Sequence, residues 1–300
     1  MVEFINVVEL VSGGTGAATG AFCGFPLDTV KVRLQCQSSS DKTGALRVFK
    51  NIIAKEGPQG LFKGWKSPVF GQFLFNAIVF SVEGQANRFL TENSKHMREN
   101  ELIRSASSGM VAGGVQSFVC GPIELVKTHC QVSGVGSKVS RSEMDVAREI
   151  FRRQGIRGFS KGLGLTLVRE IPSFGAYFWA YNTFYTHLIT HFSDFPILVT
   201  MFAGGSAGVA CWCVSYPSDV LKTRWTADGV TGAPRFSSVR ECFDATAKEG
   251  KLWDPRSTFW RGFGTTALRA FPVNAITFTV VNLLASNMLY AKNAYDQRYS

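Results

Sequence analysis

The chain has 300 residues, 45% of them hydrophobic and 18% charged, and its 32 lysines and arginines outnumber 22 acids for a net charge of +10. That excess calls for an anionic surface or anionic ligands, but a basic tail, finger spacing and RNA-binding aromatic signatures are all missing, which argues against nucleic acid and leaves anionic lipid as the better partner. The seven cysteines, at 23, 36, 120, 130, 211, 213 and 242, are scattered through apolar stretches and read as reduced packing residues.

The N-terminus, MVEFINVVEL, is acidic and not arginine-rich, so neither a signal peptide nor a transit peptide is expected there. The first apolar segment, roughly 7 to 25, is rich in Gly, Ala and Ser and carries Gly16 and Gly20 at the four-residue spacing that lets helices approach closely. Next comes GFPLDTVKVRLQ at 24 to 35, in which Pro26 interrupts a helical pattern and an acid and a base follow three residues apart. EGPQGLFKG at 56 to 64 leads into a second apolar segment, 67 to 89, richer in Phe, Leu, Ile and Val.

The same order then returns twice. Segment 105 to 121, with Gly109 and Gly113, runs into GPIELVKTHCQ, then QGIRGFSKG at 154 to 162 and the apolar stretch 163 to 188. Segment 198 to 216, with Gly204 and Gly208, runs into YPSDVLKTRWT, then EGKLWDPRSTFWRG at 249 to 262 and the stretch 263 to 289. The prolines, Pro26, Pro122 and Pro217, stand 96 and 95 residues apart, so each unit is a small domain and three fill the chain, divided as 1–98, 99–194 and 195–300. Each unit offers two apolar segments of about 20 residues or more, enough to cross about 30 Å of hydrocarbon. The expected fold class is therefore an all-α membrane protein with six transmembrane helices in three pseudo-symmetric repeats. A soluble helical solenoid is disfavoured because these segments carry few polar faces.

These two motifs, repeated in register over essentially the whole chain, resemble the mitochondrial carrier family. That resemblance implies a six-helix bundle in the inner mitochondrial membrane, both termini on the intermembrane-space side, a central cavity, a short matrix helix in each repeat and a monomeric state. It implies that Asp28 meets Lys127, Glu124 meets Lys222 and Asp219 meets Lys31 in a ring that closes the matrix end. Gln35 and Gln131 stand where the family braces such pairs, and Thr226 departs from that pattern. The bland alternative is three solvated pairs within single helices.

At the opposite end no clean copy of the family's acid and base occurs. The acid positions are Gly84, Asn182 and Val281 and the base positions Asn87, Tyr185 and Leu284, with Glu83 and Arg88 one residue off register. Closure there is expected to rest on packing by Phe80, Tyr177 and Phe278.

Counting seven residues inward from Gly64, Gly162 and Gly262 gives Gly71, Arg169 and Arg269, followed by Gln72, Glu170 and Ala270. In the family these levels touch substrate near mid-membrane, and two arginines and a glutamate at helix centre are costly enough to call for a function. The surroundings of Arg169 and Arg269 resemble carriers of amino acids, carnitine and related amines. By that resemblance Arg169 and Arg269 hold a carboxylate and Glu170 an ammonium, with Phe73, Phe75, Trp179 and Phe278 as candidate cation–π faces. An internal Arg/Glu pair that only stabilises the bundle is the alternative. Phe62-Lys63-Gly64 and Trp260-Arg261-Gly262 resemble the family's cardiolipin motif, which makes Lys63, Gly64, Gly162, Arg261 and Gly262 candidate lipid contacts, with Ser160 replacing the aromatic in the second repeat.

The expected function is a solute carrier for a small amino acid-like, carnitine-like or choline-like amine or zwitterion, working by alternating access. No catalytic set, phosphate loop or metal-site spacing stands out among the four histidines, so neither an enzyme, a cofactor nor a metal is expected. The competing expectations are an uncoupling-like proton or anion leak and a non-transporting membrane scaffold.

Overall fold

The structure is a computed structural model that describes residues 2–36, 44–132, 142–230, 233–252, 254 and 257–269, together with 273, 276, 277, 279–281, 283, 284, 287 and 288. Among these residues there is no strand. Long helices α1 (Val2–Cys36), α3 (Lys66–Asn93), α5 (Glu101–Val132), α7 (Leu163–Ile189) and α8 (Pro196–Ala227) alternate with short α2 (Ala45–Glu56), α4 (Lys95–Glu99), α6 (Glu143–Gln154) and α9 (Val239–Lys248). A further helical stretch begins at 263, and its remaining described residues are also helical.

Each of the three prolines lies inside a continuous helix, Pro26 in α1, Pro122 in α5 and Pro217 in α8. Removing one amide donor in mid-helix is the established cause of a bend. α5 and the stretch 198–227 are long and apolar enough by composition alone to cross a membrane. The 27 to 35 residues of α7, α3 and α1 span about 40 Å or more at the helical rise, and Lys31 and Arg33 of α1 and Arg169 and Glu170 of α7 are buried. The expectation of an all-α bundle built from three repeats stands.

α7 packs between α5 and α8, and α3 between α1 and α5. Glycine sets these distances unevenly. A Cβ on Gly109 would lie 2.6 Å from Phe178 and 2.8 Å from the Phe174 carbonyl, and one on Gly16 would lie 2.8 Å from the Thr277 carbonyl. Added to Gly204 or Gly208 it would meet no described residue within 4 Å, so the third expected pair does not mark a close approach among these residues.

The short helices are amphipathic and seal the ends of the long ones. Val48 and Ile52 of α2 pack on Val30 and Leu34 of α1 with Leu61, and Val146 and Ile150 of α6 pack on Leu125, Val126 and Cys130 of α5. At each junction a glycine with φ between +79° and +88° (Gly64, Gly162 and Gly262) turns the chain into the next long segment, a region closed to most side chains. All seven cysteines are free thiols. The long third-repeat connection is tied back by Trp260, whose indole donates to the Leu252 carbonyl at 2.9 Å.

Candidate functional site

The helix ends that follow the prolines converge, and their charges meet. Lys127 reaches Asp28 at 3.0 Å, Lys31 reaches Asp219 at 2.7 Å, and Lys222 pairs with Glu124, so every repeat's acid is bound to the base of another. The within-helix alternative fails because the partners of each pair lie at least 98 residues apart in sequence and on different helices. Aromatic faces support two of the bases. Lys31 Nζ stands 4.2 Å from the ring of Trp212 and 5.2 Å from that of Tyr216, and Lys127 Nζ stands 5.0 Å from Phe25.

The glutamine braces differ from expectation. Gln35 donates to Asp219 at 3.2 Å and lies 3.4 Å from the Tyr216 hydroxyl. Gln131 instead donates to the Thr29 hydroxyl at 3.3 Å and leaves the Asp28–Lys127 pair alone. Thr226 bonds back to the carbonyls of Lys222 and Thr223 within its own helix. One brace touches an ion pair, where two were expected.

Above the ring lies a cavity of about 320 Å³, lined among others by Gln72, Phe75, Gln116, Arg169, Glu170 and Trp212. Arg169 is 7% exposed and Glu170 9%, and they pair with each other on α7. The arginine does more than the sequence suggests. Its two terminal nitrogens also reach Glu124 at 2.8 Å and Asp219 at 2.9 Å, so it links the motif acids of two other helices. Arg269 reaches Asp28 at 3.1 Å, although its N–H is not aimed at the oxygen. All three motif acids therefore carry an arginine in addition to a lysine. The internal Arg/Glu pair weighed above exists, and it belongs to the same network as the ring.

Of the other expected contacts, Gly71 sits against the Phe75 ring, where a Cβ would come within 3.0 Å. Trp179 is half exposed and is not among the cavity's residues, whereas Phe174 is. Ala270 and Phe278 lie outside the described residues, as do the side chains of Phe73 and Phe80. The thiol of Cys120 and the carboxylates of Glu124 and Glu170 offer three donor atoms within 4.8 Å of one another, but both carboxylates are held by Arg169, which opposes a metal ion there.

Trp212 was not singled out by the sequence reading. The signal was available, because five residues before each motif proline stand Ala21, Ser117 and Trp212, and only the third can hold a cation.

At the far end Glu83 accepts from Ser108 of α5 at 2.9 Å and from Asn87 at 3.3 Å, while Arg88 donates to the carbonyl of Gly84. No ion pair joins two long helices there among the described residues. On α7 the rings of Tyr177, Tyr181 and Tyr185 stack in a ladder with centroid spacings of 6.4 and 5.8 Å.

The expected lipid contacts are only partly placed at the surface. Lys63 is 3% exposed, and its ammonium is bound by Glu56 at 2.7 Å together with Arg33, so it serves inside the first repeat. At the start of α3 the amides of Lys66 and Ser67 both donate to the Glu143 carboxylate at 2.8 Å. Gly64 packs on Cys130 and Gly162 on Thr226, while Arg261, Gly262 and Gly264 line a separate cavity of about 360 Å³.

Comparison with known proteins agrees with this geometry. The model of the mitochondrial carrier protein family matches residues 4–94, 98–192 and 193–292. A mitochondrial basic amino acids transporter of Bos taurus is 38% identical over 284 residues, covering 93% of this chain and 91% of its own. A mitochondrial arginine transporter of Arabidopsis thaliana is 32% identical over 274 residues, covering 90% and 88%, and a mitochondrial carnitine/acylcarnitine carrier-like protein of the same organism is 32% identical over 301 residues, covering 93% and 98%. A ring of inter-repeat ion pairs beneath a charged cavity, built from three matching repeats, places this chain in the mitochondrial carrier protein family.

Proposed function

We propose that the protein carries basic amino acids across the inner mitochondrial membrane by alternating access, with the ion-pair ring as the matrix gate and the cavity above it as the binding site. One observation carries this reading. Arg169 and Glu170 lie side by side at the cavity wall, a guanidinium for a carboxylate next to a carboxylate for an ammonium. The ring's acids and lysines otherwise balance one another. What remains is Arg169, Arg269 and Glu170, a set complementary to a molecule that bears both charges. The names of the related basic amino acid and arginine transporters support the same class.

A substrate carboxylate on Arg169 or Arg269 competes with Glu124, Asp219 and Asp28 for the same guanidinium groups, so occupancy loosens the ring that closes the cavity. Binding energy is thereby exchanged for broken ion pairs, which is the thermodynamic requirement for a ligand to shift a conformational equilibrium. Trp212 offers its face to Lys31 in this state, and to a substrate cation once Lys31 leaves.

The test is uptake into cardiolipin-containing liposomes of radiolabelled lysine, arginine, carnitine, choline, citrate and ATP by wild type and Glu170→Gln. Saturable lysine or arginine uptake that falls at least tenfold in the variant supports the reading. Uptake of carnitine alone reassigns the amine, and uptake of citrate or ATP alone, or of protons without solute, sinks it.

A further inference from the structure

Arg33, His129 and Arg224 stand seven residues past the three motif prolines, and each meets a backbone carbonyl of another repeat. Arg33 donates to Gln131 and Arg224 to Gln35, both at 3.2 Å, and His129 Nε2 stands 3.0 Å from the Thr226 carbonyl. The three positions are therefore equivalent in space as well as in sequence. In repeats 1 and 3 an internal carboxylate holds the arginine, since Glu56 binds both Arg33 and Lys63, and Glu249 binds Arg224 at 2.7 Å. Repeat 2 has Gln154 in place of that acid, and Lys161 where Lys63 and Arg261 stand. It keeps the lysine and lacks the carboxylate.

His129, Gln154 and Lys161 all line a cavity of about 320 Å³, separate from the central one and walled by α5, α6 and the stretch of repeat 3 that follows α8. Two acids reach this cavity, and both are engaged. Glu149 pairs with Arg153, and the Asp228 carboxylate accepts from the amides of Arg235 and Phe236 at 3.0 and 3.1 Å. The Lys161 ammonium meets only the Asp228 backbone carbonyl at 2.8 Å and the Trp225 ring at 5.3 Å, and among the described residues no carboxylate lies within ion-pair distance of it. The Gln154 amide adds an N–H donor where a carboxylate could only accept. Leu125, Val146 and Ile150 supply an apolar wall.

We propose that this cavity binds a small carboxylic acid anion, held by Lys161 and Gln154, which supplies from solution the carboxylate that Glu56 and Glu249 supply within the other two repeats. Hydrogen bonds from an ammonium to a carboxylate belong to the strong, charge-assisted class. A carboxylic acid suits the site better than phosphate, because the apolar wall receives a short carbon chain. The walls come from repeats 2 and 3, so a bound anion also ties these repeats together beside the ion-pair ring. It thereby favours the closed ring over any state in which they separate. The inference draws on the repeat geometry and not on the solute proposed above, so either reading can fail without the other.

The experiment measures the melting temperature of the full-length protein in detergent with butyrate, inorganic phosphate or chloride at equal ionic strength. Butyrate is expected to raise that of wild type by about 2 to 4 °C over chloride. The response should vanish in Gln154→Glu, whose new carboxylate fills the site, and in Lys161→Gln. It should persist in Arg269→Gln, which alters the central cavity alone. No response in wild type, or an undiminished one in folded Gln154→Glu, overturns the proposal. Loss of the response in Arg269→Gln with retention in Gln154→Glu moves the anion to the central cavity and overturns it as well. Phosphate matching butyrate overturns the assignment to a carboxylic acid. Should Lys161→Gln not fold, Gln154→Glu, which restores the residue of the other repeats, decides alone.

Discussion

Glu56 shows how one side chain organises a repeat. It is 5% exposed and binds both Arg33 and Lys63, so Glu56→Ala leaves two buried cations without their shared acid. Removing one partner of a buried ion pair typically costs about 3 to 5 kcal/mol, and a melting-temperature series in detergent should show Glu56→Ala as far more damaging than Glu149→Ala, whose partner Arg153 is exposed. Repeat 3 keeps the arrangement as Arg224 with Glu249. Repeat 2 has His129, Gln154 and Lys161 at these positions, and the Lys161 ammonium donates to the Asp228 carbonyl at 2.8 Å. Burial lowers the pKa of Lys161, and the nearby Asp228 only partly offsets it. A base with a lowered folded-state pKa binds fewer protons folded than unfolded, so stability rises as pH climbs toward the ordinary lysine value. Gln154→Glu restores the missing acid. The expected gain is roughly 0.5 to 1 kcal/mol for a half-exposed pair, with a flatter rise of melting temperature toward the ordinary lysine value than in wild type.

At the scale of the helix, packing distance is set by glycines that face a neighbour's backbone. A Cβ on Gly113 would lie 2.8 Å from the Glu170 carbonyl oxygen, and the same change at Gly114 would meet Ile171 at an ordinary 3.7 Å. Gly113→Ala is expected to cost about 1 to 3 kcal/mol through overpacking, and because it pushes on the turn that carries Glu170 it should also weaken substrate affinity. Gly114→Ala should be neutral or stabilising by up to about 1 kcal/mol from helix propensity. Equal melting temperatures for the two would show that α5 and α7 are not in close contact in the membrane. The tyrosine ladder on α7 occupies the end where the sequence lacks the family's ion pairs, and stacked rings supply contact there without charge.

For the molecule as a whole, the ring and the substrate-level arginines form one network, which limits how far charge can be rearranged. Exchanging Asp28 and Lys127 in the double variant Asp28→Lys, Lys127→Asp keeps their mutual attraction but brings the new lysine beside Arg269. The exchange alone should therefore remain destabilised by about 3 kcal/mol, the scale of an uncompensated buried charge. Adding Arg269→Gln should recover most of the melting temperature while leaving uptake low. Full recovery by the exchange alone would mean that Arg269 does not face Asp28 in the working protein.

The sequence by itself determined the threefold plan, because two motifs in register can repeat over 300 residues only if each unit solves the same packing problem. It also determined which acids and bases face the interior, since charges inside long apolar segments have few other places to go. The partners beyond the three ring pairs were decided by tertiary structure alone. Arg169 sits fifty residues before Asp219 and forty-five after Glu124, and nothing in spacing shows that one guanidinium bridges both. The turn of Gln131 toward Thr29, the cation held on Trp212 and the carboxylate of Glu143 on the amides of α3 share that origin. Each depends on where three non-identical repeats come into contact, and a distance of 3 Å between helices is fixed by the packing of all three together.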